Sequence, residues 1–423
     1  MDARRQTRSC SRERMPRGDG MPRGSKQIVI AMTRDVYDRI WDDAAEVRRI
    51  VEQQIEDWPE LFPNNIQDGF HFSGYHPESK KMPGMRLRQL RLKDGRMFTL
   101  RPSFVMPYMM GDVDELDDPL LLLSIGTPCW IVTQLFGKND MFWYRLLERL
   151  GRNSLVGATV RDPDRLPVHL VADEHHADWC GEKGYVGFTA GGGCILGVAL
   201  TDSADEKHLR EAYGDFEQEC RDVKPDYAPK TVNTDGWFAT QNAFKALFSS
   251  ISVVLCFLHG FLKIRDRCRK ARELHTQVWD VYRAATAEEF RTQMASFRAW
   301  FADGTWPQTV RDAVAKLWNH ESAYAVSYEH PGCHRTSNLV DRLMNRLTRF
   351  LYAGRGLHGH QATSELRLRG WALLQNFRHF APRSNQPRHY QSPVHRLNRK
   401  EYHNHWLHNL QLSASMMGYT CCT

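Results

Sequence analysis

The sequence predicts an α/β protein whose central sheet is interrupted by a helical insertion. Three observations carry that prediction. From residue 166 the chain reads as three strands, a helix, a strand, a helix and a fifth strand. Two of those strands, LPVHLVAD and TVNTD, end on carboxylates, Asp173 and Asp235. The fifth, ISVVLCF, is followed by residues 258–335, which have helical spacing throughout. With 423 residues the chain exceeds one compact domain, so two or three are expected. Hydrophobic content of 42% and charge of 25% are those of an ordinary folded protein.

The elements follow in order. Residues 1–26, rich in Arg, Gly and Pro, read as a disordered basic arm. Residues 27–112 read as an α/β region holding a basic hairpin. In MRLRQLRLKDGRMFTLR, two alternating runs meet at Asp94-Gly95, with Arg91, Lys93 and Arg101 expected on one face and Leu90, Leu92 and Leu100 on the other. Residues 113–165 begin at an acidic break. They read as a helix-turn-helix-like DNA-binding region, with a turn at Gly137-Lys138-Asn139, Asp140 as N-cap and Arg145, Arg149 and Arg152 on the exposed face.

Residues 166–380 hold the sheet. LPVHLVAD is the first strand, KGYVGFTAGGGCILGVALT the next two, and TVNTD and ISVVLCF the last two. DEKHLREAYGDFEQECRDV is an amphipathic helix with Leu209, Tyr213, Phe216 and Cys220 on one stripe. The insertion, about 262–335, contains a capping box, Thr286 with Glu289. HRTSNLVDRLMNRLTRFL is the following helix, capped by Thr336 or Ser337. Its core face holds Val340, Leu343, Leu347 and Phe350, and Asp341 and Asn345 share the neighbouring face. Residues 381–423 read as a basic C-terminal tail.

The strand order resembles the ribonuclease-H-like fold, which keeps metal-binding acids at the ends of its first and fourth strands. Phosphodiester cleavage needs two divalent ions about 3.5–4 Å apart rather than covalent help from protein. Asp173, Asp235 and Asp341 are therefore the candidate ligands for Mg²⁺ or Mn²⁺, which prefer carboxylate oxygens. Glu365, on a later helix, is an alternative third acid, and Glu174 is a further rival. Cys256 and His259 form a C-x-x-H pair. Two ligands are too few for structural zinc, and Cys180, Cys333 and His334 have no diagnostic spacing to complete a site.

NTDGW, CFLH and TSNLVDRLMNRL together resemble the DDE-type transposases of bacterial insertion sequences, in the Mutator-like branch, over about residues 85–412. Asp341 stands where that family has Glu. The resemblance implies metal-dependent cleavage at element ends followed by strand transfer into target DNA. It also implies a homodimer or higher oligomer on DNA, with Asn338, Arg342 and Asn345 among the DNA contacts. An inactive DNA-binding descendant and a ribonuclease-H-like structure-specific nuclease are the alternatives.

Charge agrees with a polyanionic partner. The net charge of +7 is uneven: residues 80–101 hold eight Lys/Arg against one acid, and residues 342–423 hold twelve against two. The longest apolar run, ISVVLCFLHGFL, is too short to span a bilayer, and MDARRQTRSCSRER has no apolar signal core. The expectation is a cytoplasmic, nucleoid-associated protein with no membrane partner and with its ten scattered cysteines reduced.

Overall fold

The computed structural model describes residues 26–419, so the basic arm lies almost entirely outside the described residues. An N-terminal module contains β1 (Gln27–Ile30), α1 (Arg34–Ile40), α2 (Ala44–Asp57), β2 (Phe70–Tyr75), β3 (Arg88–Leu92) and β4 (Met97–Pro102). Its sheet has the order β1-β4-β3-β2, with β1 parallel to β4 and the other pairs antiparallel. The β3–β4 hairpin turns where Asp94-Gly95 predicts, because Gly95 takes a φ of +88° at no steric cost. Leu90, Leu92 and Leu100 are buried as expected, but Arg101 is not on a charged surface. It is 2% exposed and donates to Gln411 Oε1 at 3.0 Å. Burial pulls its guanidinium down to about 9. Alternation predicted its face correctly only for an uncovered sheet, and the C-terminal chain covers this one.

Next come α3 (Val113–Ser124), α4 (Cys129–Phe136), α5 (Asp140–Leu150) and α6 (Leu155–Thr159). The cap of α5 is Asn139, whose side chain accepts from Phe142 N at 2.9 Å; Asp140 instead accepts from Thr133 Oγ1 at 2.6 Å.

The main sheet is formed by β5 (His169–Trp179), β6 (Glu182–Gly191), β7 (Cys194–Thr201), β8 (Thr231–Thr234) and β9 (Ser252–Leu255), in the order β7-β6-β5-β8-β9. The first three strands form an antiparallel meander, and β8 and β9 add in parallel beside β5. Parallel addition needs crossovers, supplied by α7 (Glu206–Val223) and α8 (Phe238–Leu247). Leu209, Tyr213, Phe216 and Cys220 of α7 pack on one sheet face beneath Leu170 and Ala172.

The insertion consists of α9 (Phe257–Arg267), α10 (Arg272–Arg283), α11 (Ala287–Ala302), α12 (Gln308–Asn319) and α13 (Glu321–Glu329) around its own aromatic-rich core. It starts five residues before the expected 262. Thr286 Oγ1 caps α11 by accepting from Glu289 N at 3.1 Å.

α14 (Asn338–Ala353) and α15 (Gln361–Phe377) return to the other sheet face, followed by α16 (Pro393–Asn398) and α17 (Trp406–Ser413). There Val171, Val186 and Phe188 share one core with Leu146 and Leu147 of α5, Leu347 of α14 and Trp371 of α15. The helix-turn-helix-like segment is thus packed into the sheet's own core rather than standing as a separate unit. A Cβ placed on Gly370 would lie 2.1 Å from Leu147 O, so α5 and α15 touch backbone to backbone.

The expected C-terminal tail is a correction. All eight residues of α17 are buried. Ser415 Oγ accepts from Val29 N at 3.1 Å and donates to Leu61 O at 2.7 Å. Leu410 lies in the main core and Leu412 in that of the N-terminal module, so this segment joins the two. Charge averaged over 342–423 hid the fact that no Arg or Lys follows Lys400. Cys129, Cys194, Cys220, Cys256, Cys268 and Cys333 are free thiols, whereas Cys180 is disulfide-bonded, against the all-reduced expectation. No helix among the described residues is long and apolar enough to cross a membrane.

Candidate active site

The site is built where β5 and β8 diverge. These strands pair in parallel from His169 opposite Thr231 to Val171 opposite Asn233. Two residues beyond that pairing are Asp173, still within β5, and Asp235, the first residue past the end of β8 at Thr234, so the paired segments deliver the two carboxylates to the same end of the sheet. Strand spacing of about 4.8 Å makes them electrostatic neighbours. Asp173 is not a strand end as expected, since β5 continues six residues beyond it to Trp179 against β6. It is the point where the pairing with β8 has stopped.

The two acids differ in environment. Asp235 is exposed, and its Oδ1 accepts from Trp237 N at 3.0 Å, which shapes the turn into α8 without making Asp235 the N-cap. Asp173 is half-buried and its Oδ1 accepts from Glu174 N at 2.9 Å. Burial, then the neighbouring charges of Asp235 and Glu174, push the Asp173 carboxyl up to about 7. Glu174 follows Asp173 on the opposite face. It accepts from Thr240 Oγ1 at 2.6 Å and from Tyr213 Oη, and so is tied to α7 and α8.

α14 packs on the Asp173 side of the sheet. Asp341 lies in its first turn and accepts from Ser337 Oγ at 2.8 Å. Ser337 also meets Cys256: its N donates to Sγ at 3.2 Å, and Sγ lies 3.3 Å from Oγ. The C-x-x-H pair thereby joins the start of α9 to the start of α14. His259 is pushed up to about 9, first by the Cys256 thiol and then by the charges of Asp235 and Asp341. Its buried Nδ1 has no hydrogen-bond partner of ordinary length, so we read the pairing with Cys256 as electrostatic. Burial raises the Cys256 thiol, but His259 and Ser337 outweigh burial and hold it below the usual value.

Asp173 and Asp235 are therefore brought together, and Asp341 reaches the same side through His259. Among the described residues no three His, Cys, Asp or Glu are gathered closely enough to hold one ion. The Asp173–Asp235 pair nevertheless fits a hard divalent cation, because a buried acid raised by its neighbour is relieved by a positive charge.

Glu365 is a correction. Its Oε1 accepts from Leu200 N at 3.1 Å on β7, separated from β8 by β6 and β5. It is turned to that strand because a buried N–H there needs an acceptor. Of the expected DNA contacts, Arg145 and Arg152 are exposed, as are Asn338, Arg342 and Asn345 along α14. Arg149 lies over the Tyr108 ring at 4.0 Å, and Arg152 donates to Tyr108 Oη at 3.3 Å. Sequence reasoning missed Ser337 as the group between Cys256 and Asp341, although it stands in the quoted TSNLVDR segment.

The raised Asp173 acid has a consequence for stability. Its folded pKa exceeds the unfolded value of about 3.9, so the penalty is absent below pH 4, grows as pH rises toward 7 and is constant above. Asp173→Asn is expected to stabilise the metal-free protein at pH 8 by roughly 2–4 kcal/mol while changing little at pH 4. Urea unfolding at the two pH values checks this; equal effects at both would remove the proposed repulsion. Compared with protein-family models and with curated proteins, the chain matches none, so the transposase resemblance is carried by the residue pattern alone.

Proposed function

We propose that the protein is a ribonuclease-H-like, metal-dependent polynucleotidyl transferase that cleaves DNA at element ends and joins the freed 3′ end to target DNA. One observation carries the reading: two carboxylates lie just beyond the paired segments of neighbouring parallel strands, and Asp173 is raised by burial and then by the charge of Asp235. The strand order β7-β6-β5-β8-β9 supports the fold assignment. Asp173 and Asp235 would hold the cation, with Asp341 as the third acid. A divalent ion there would activate the attacking oxygen and stabilise the leaving one.

The chain's own residues do the rest. The sheet holds Asp173 rigidly, which a loop would not. His259, held in its protonated form by the Cys256 thiol and then by Asp235 and Asp341, offsets part of the negative charge of these acids. The exposed arginines of α14 and Arg145 offer phosphate contacts.

The test is Mg²⁺-dependent cleavage and strand joining on DNA taken from the sequences on either side of the gene, searched first for inverted repeats. Cleavage of branched DNA without regard to end sequence, and without joining, would replace the transposase reading with a structure-specific nuclease. Salt-sensitive binding with no cleavage in Mg²⁺ or Mn²⁺ would leave a DNA-binding protein only.

A further inference from the structure

A cleft of about 800 Å³ opens between α8 and β9 on one side and α9, α12 and α13 on the other. Asp235 and His259 stand at one end of it. Lys245 of α8, Lys263 and Arg267 of α9 and Lys316 of α12 line it. All four are exposed, and none makes an ion pair among the described residues. Asp312, the other acid of the lining, accepts instead from Gln308 Nε2 at 2.8 Å.

The neighbouring helices α8 and α9 and the more distant α12 thus turn cations without ion-pair partners into one concave space. A single lysine on one helix would be ordinary solvated surface. Convergence from both the sheet side and the insertion is a cationic groove, which concentrates anions.

The floor is apolar, with Leu255 and Leu317, and Tyr324 is buried beside them. Phe238, at the head of α8, also lines the cleft and is 74% exposed. An aromatic ring left in water inside a cationic groove is the arrangement that binds unpaired bases: cations track the phosphates and the ring face stacks a base. Size decides the form of the nucleic acid. A volume of about 800 Å³ lies in the range of sites that enclose one small molecule, roughly 300–1,000 Å³. A duplex cannot enter it, and a few unpaired nucleotides can.

We infer that this cleft binds a short single-stranded segment of nucleic acid, its phosphates on Lys245, Lys263, Arg267 and Lys316 and a base on Phe238, leading to Asp235. The inference rests on the proposed function only in placing the strand beside a cleavage centre. The binding itself follows from charge, shape and the exposed ring.

The experiment measures anisotropy of a fluorescein-labelled oligothymidylate with the full chain over a range of NaCl concentrations. A blunt duplex of the same length is the comparison. The wild type is expected to bind the single strand more tightly than the duplex in the absence of Mg²⁺. Lys263→Gln/Lys316→Gln should weaken single-strand binding at least tenfold at low salt and lower the salt slope by roughly 1.4, or 0.7 for each lost phosphate contact. Phe238→Ala should weaken it at least roughly fivefold with the slope unchanged, because stacking releases no counterions. Lys207→Gln/Lys230→Gln, which removes exposed lysines outside the cleft, should lose no more than the bulk charge effect. All four lysines are exposed, so melting temperatures should match the wild type.

Equal loss in the two double variants, an unchanged slope in Lys263→Gln/Lys316→Gln, or preference for the duplex overturns the cleft assignment. The enzyme reading fails separately. A protein that loses single-strand binding as described but never cleaves DNA keeps the cleft and loses the transferase. One that cleaves normally and binds oligothymidylate independently of these lysines keeps the transferase and loses the cleft.

Discussion

Asp235→Asn is expected to reduce Mg²⁺-dependent cleavage and strand joining by several orders of magnitude while leaving the fold and DNA binding nearly intact. The amide keeps an oxygen where Oδ1 accepts from Trp237 N, so the turn between β8 and α8 survives. The lost charge is the half of the Asp173–Asp235 pair that would hold a hard ion, and an amide oxygen is a poor substitute for a carboxylate. The ion supplies most of the charge stabilisation of phosphodiester cleavage, hence the size of the effect. Asp235→Ala should match Asn in activity but also lose the turn hydrogen bond, at about 1 kcal/mol. A purely structural Asp235 gives the reverse pattern: near-normal turnover with Asn and a loss of stability with Ala. Turnover and thermal unfolding of both variants separate the two. A fully active Asp235→Asn protein would remove the proposed enzyme class.

Arg369→Met is expected to destabilise the protein by about 3–5 kcal/mol, enough to prevent accumulation of the folded chain if its stability is ordinary. Arg369 and Glu219 form an ion pair with side chains only 6% and 3% exposed, which joins α15 to α7. The guanidinium also donates to Gly151 O at 3.1 Å and Asn153 O at 2.9 Å. The Glu219 carboxylate accepts from Ser154 Oγ at 3.1 Å and Val156 N at 3.0 Å. Removing the cation leaves a buried carboxylate without its counter-charge and two carbonyls without donors. The double variant Arg369→Met/Glu219→Leu should recover part of the loss, because paired apolar replacement removes the stranded charge. Urea unfolding of the single and double variants checks both statements. A single variant within about 1 kcal/mol of wild type would show that the pair does not hold the helices together.

The sequence alone determined the seven-element run of the main sheet, since each strand and helix there has its own periodicity. The amphipathic stripe of α7 and the Thr286 cap of α11 were legible for the same reason: a cap and a stripe are local. Local alternation likewise placed Leu90, Leu92 and Leu100 inside. It failed at Arg101, because an outward position becomes an inward one once a distant segment covers the sheet. The same limit hid α17, whose burial depends on surfaces formed far earlier in the chain, at Arg101 and Ser103 of the N-terminal module and at Ala158 of the main core.

The acids show the division most clearly. Asp173 and Asp235 were legible as candidates because buried β runs lead into both, whereas the parallel pairing of β5 with β8 that makes them neighbours was decided by the tertiary structure. What distinguished Asp341 from Glu365 was not legible, since each is a lone acid on a helix and the sequence does not show that α15 is buried nearly all round whereas α14 has an exposed face. Only packing separates their surroundings: α14 starts beside Cys256, whereas α15 runs along β7, where Glu365 meets the Leu200 N–H. The cleft was wholly tertiary. Lys245, Lys263 and Lys316 carry no shared spacing, and they face one another only because the insertion folds back over the β9 edge of the sheet.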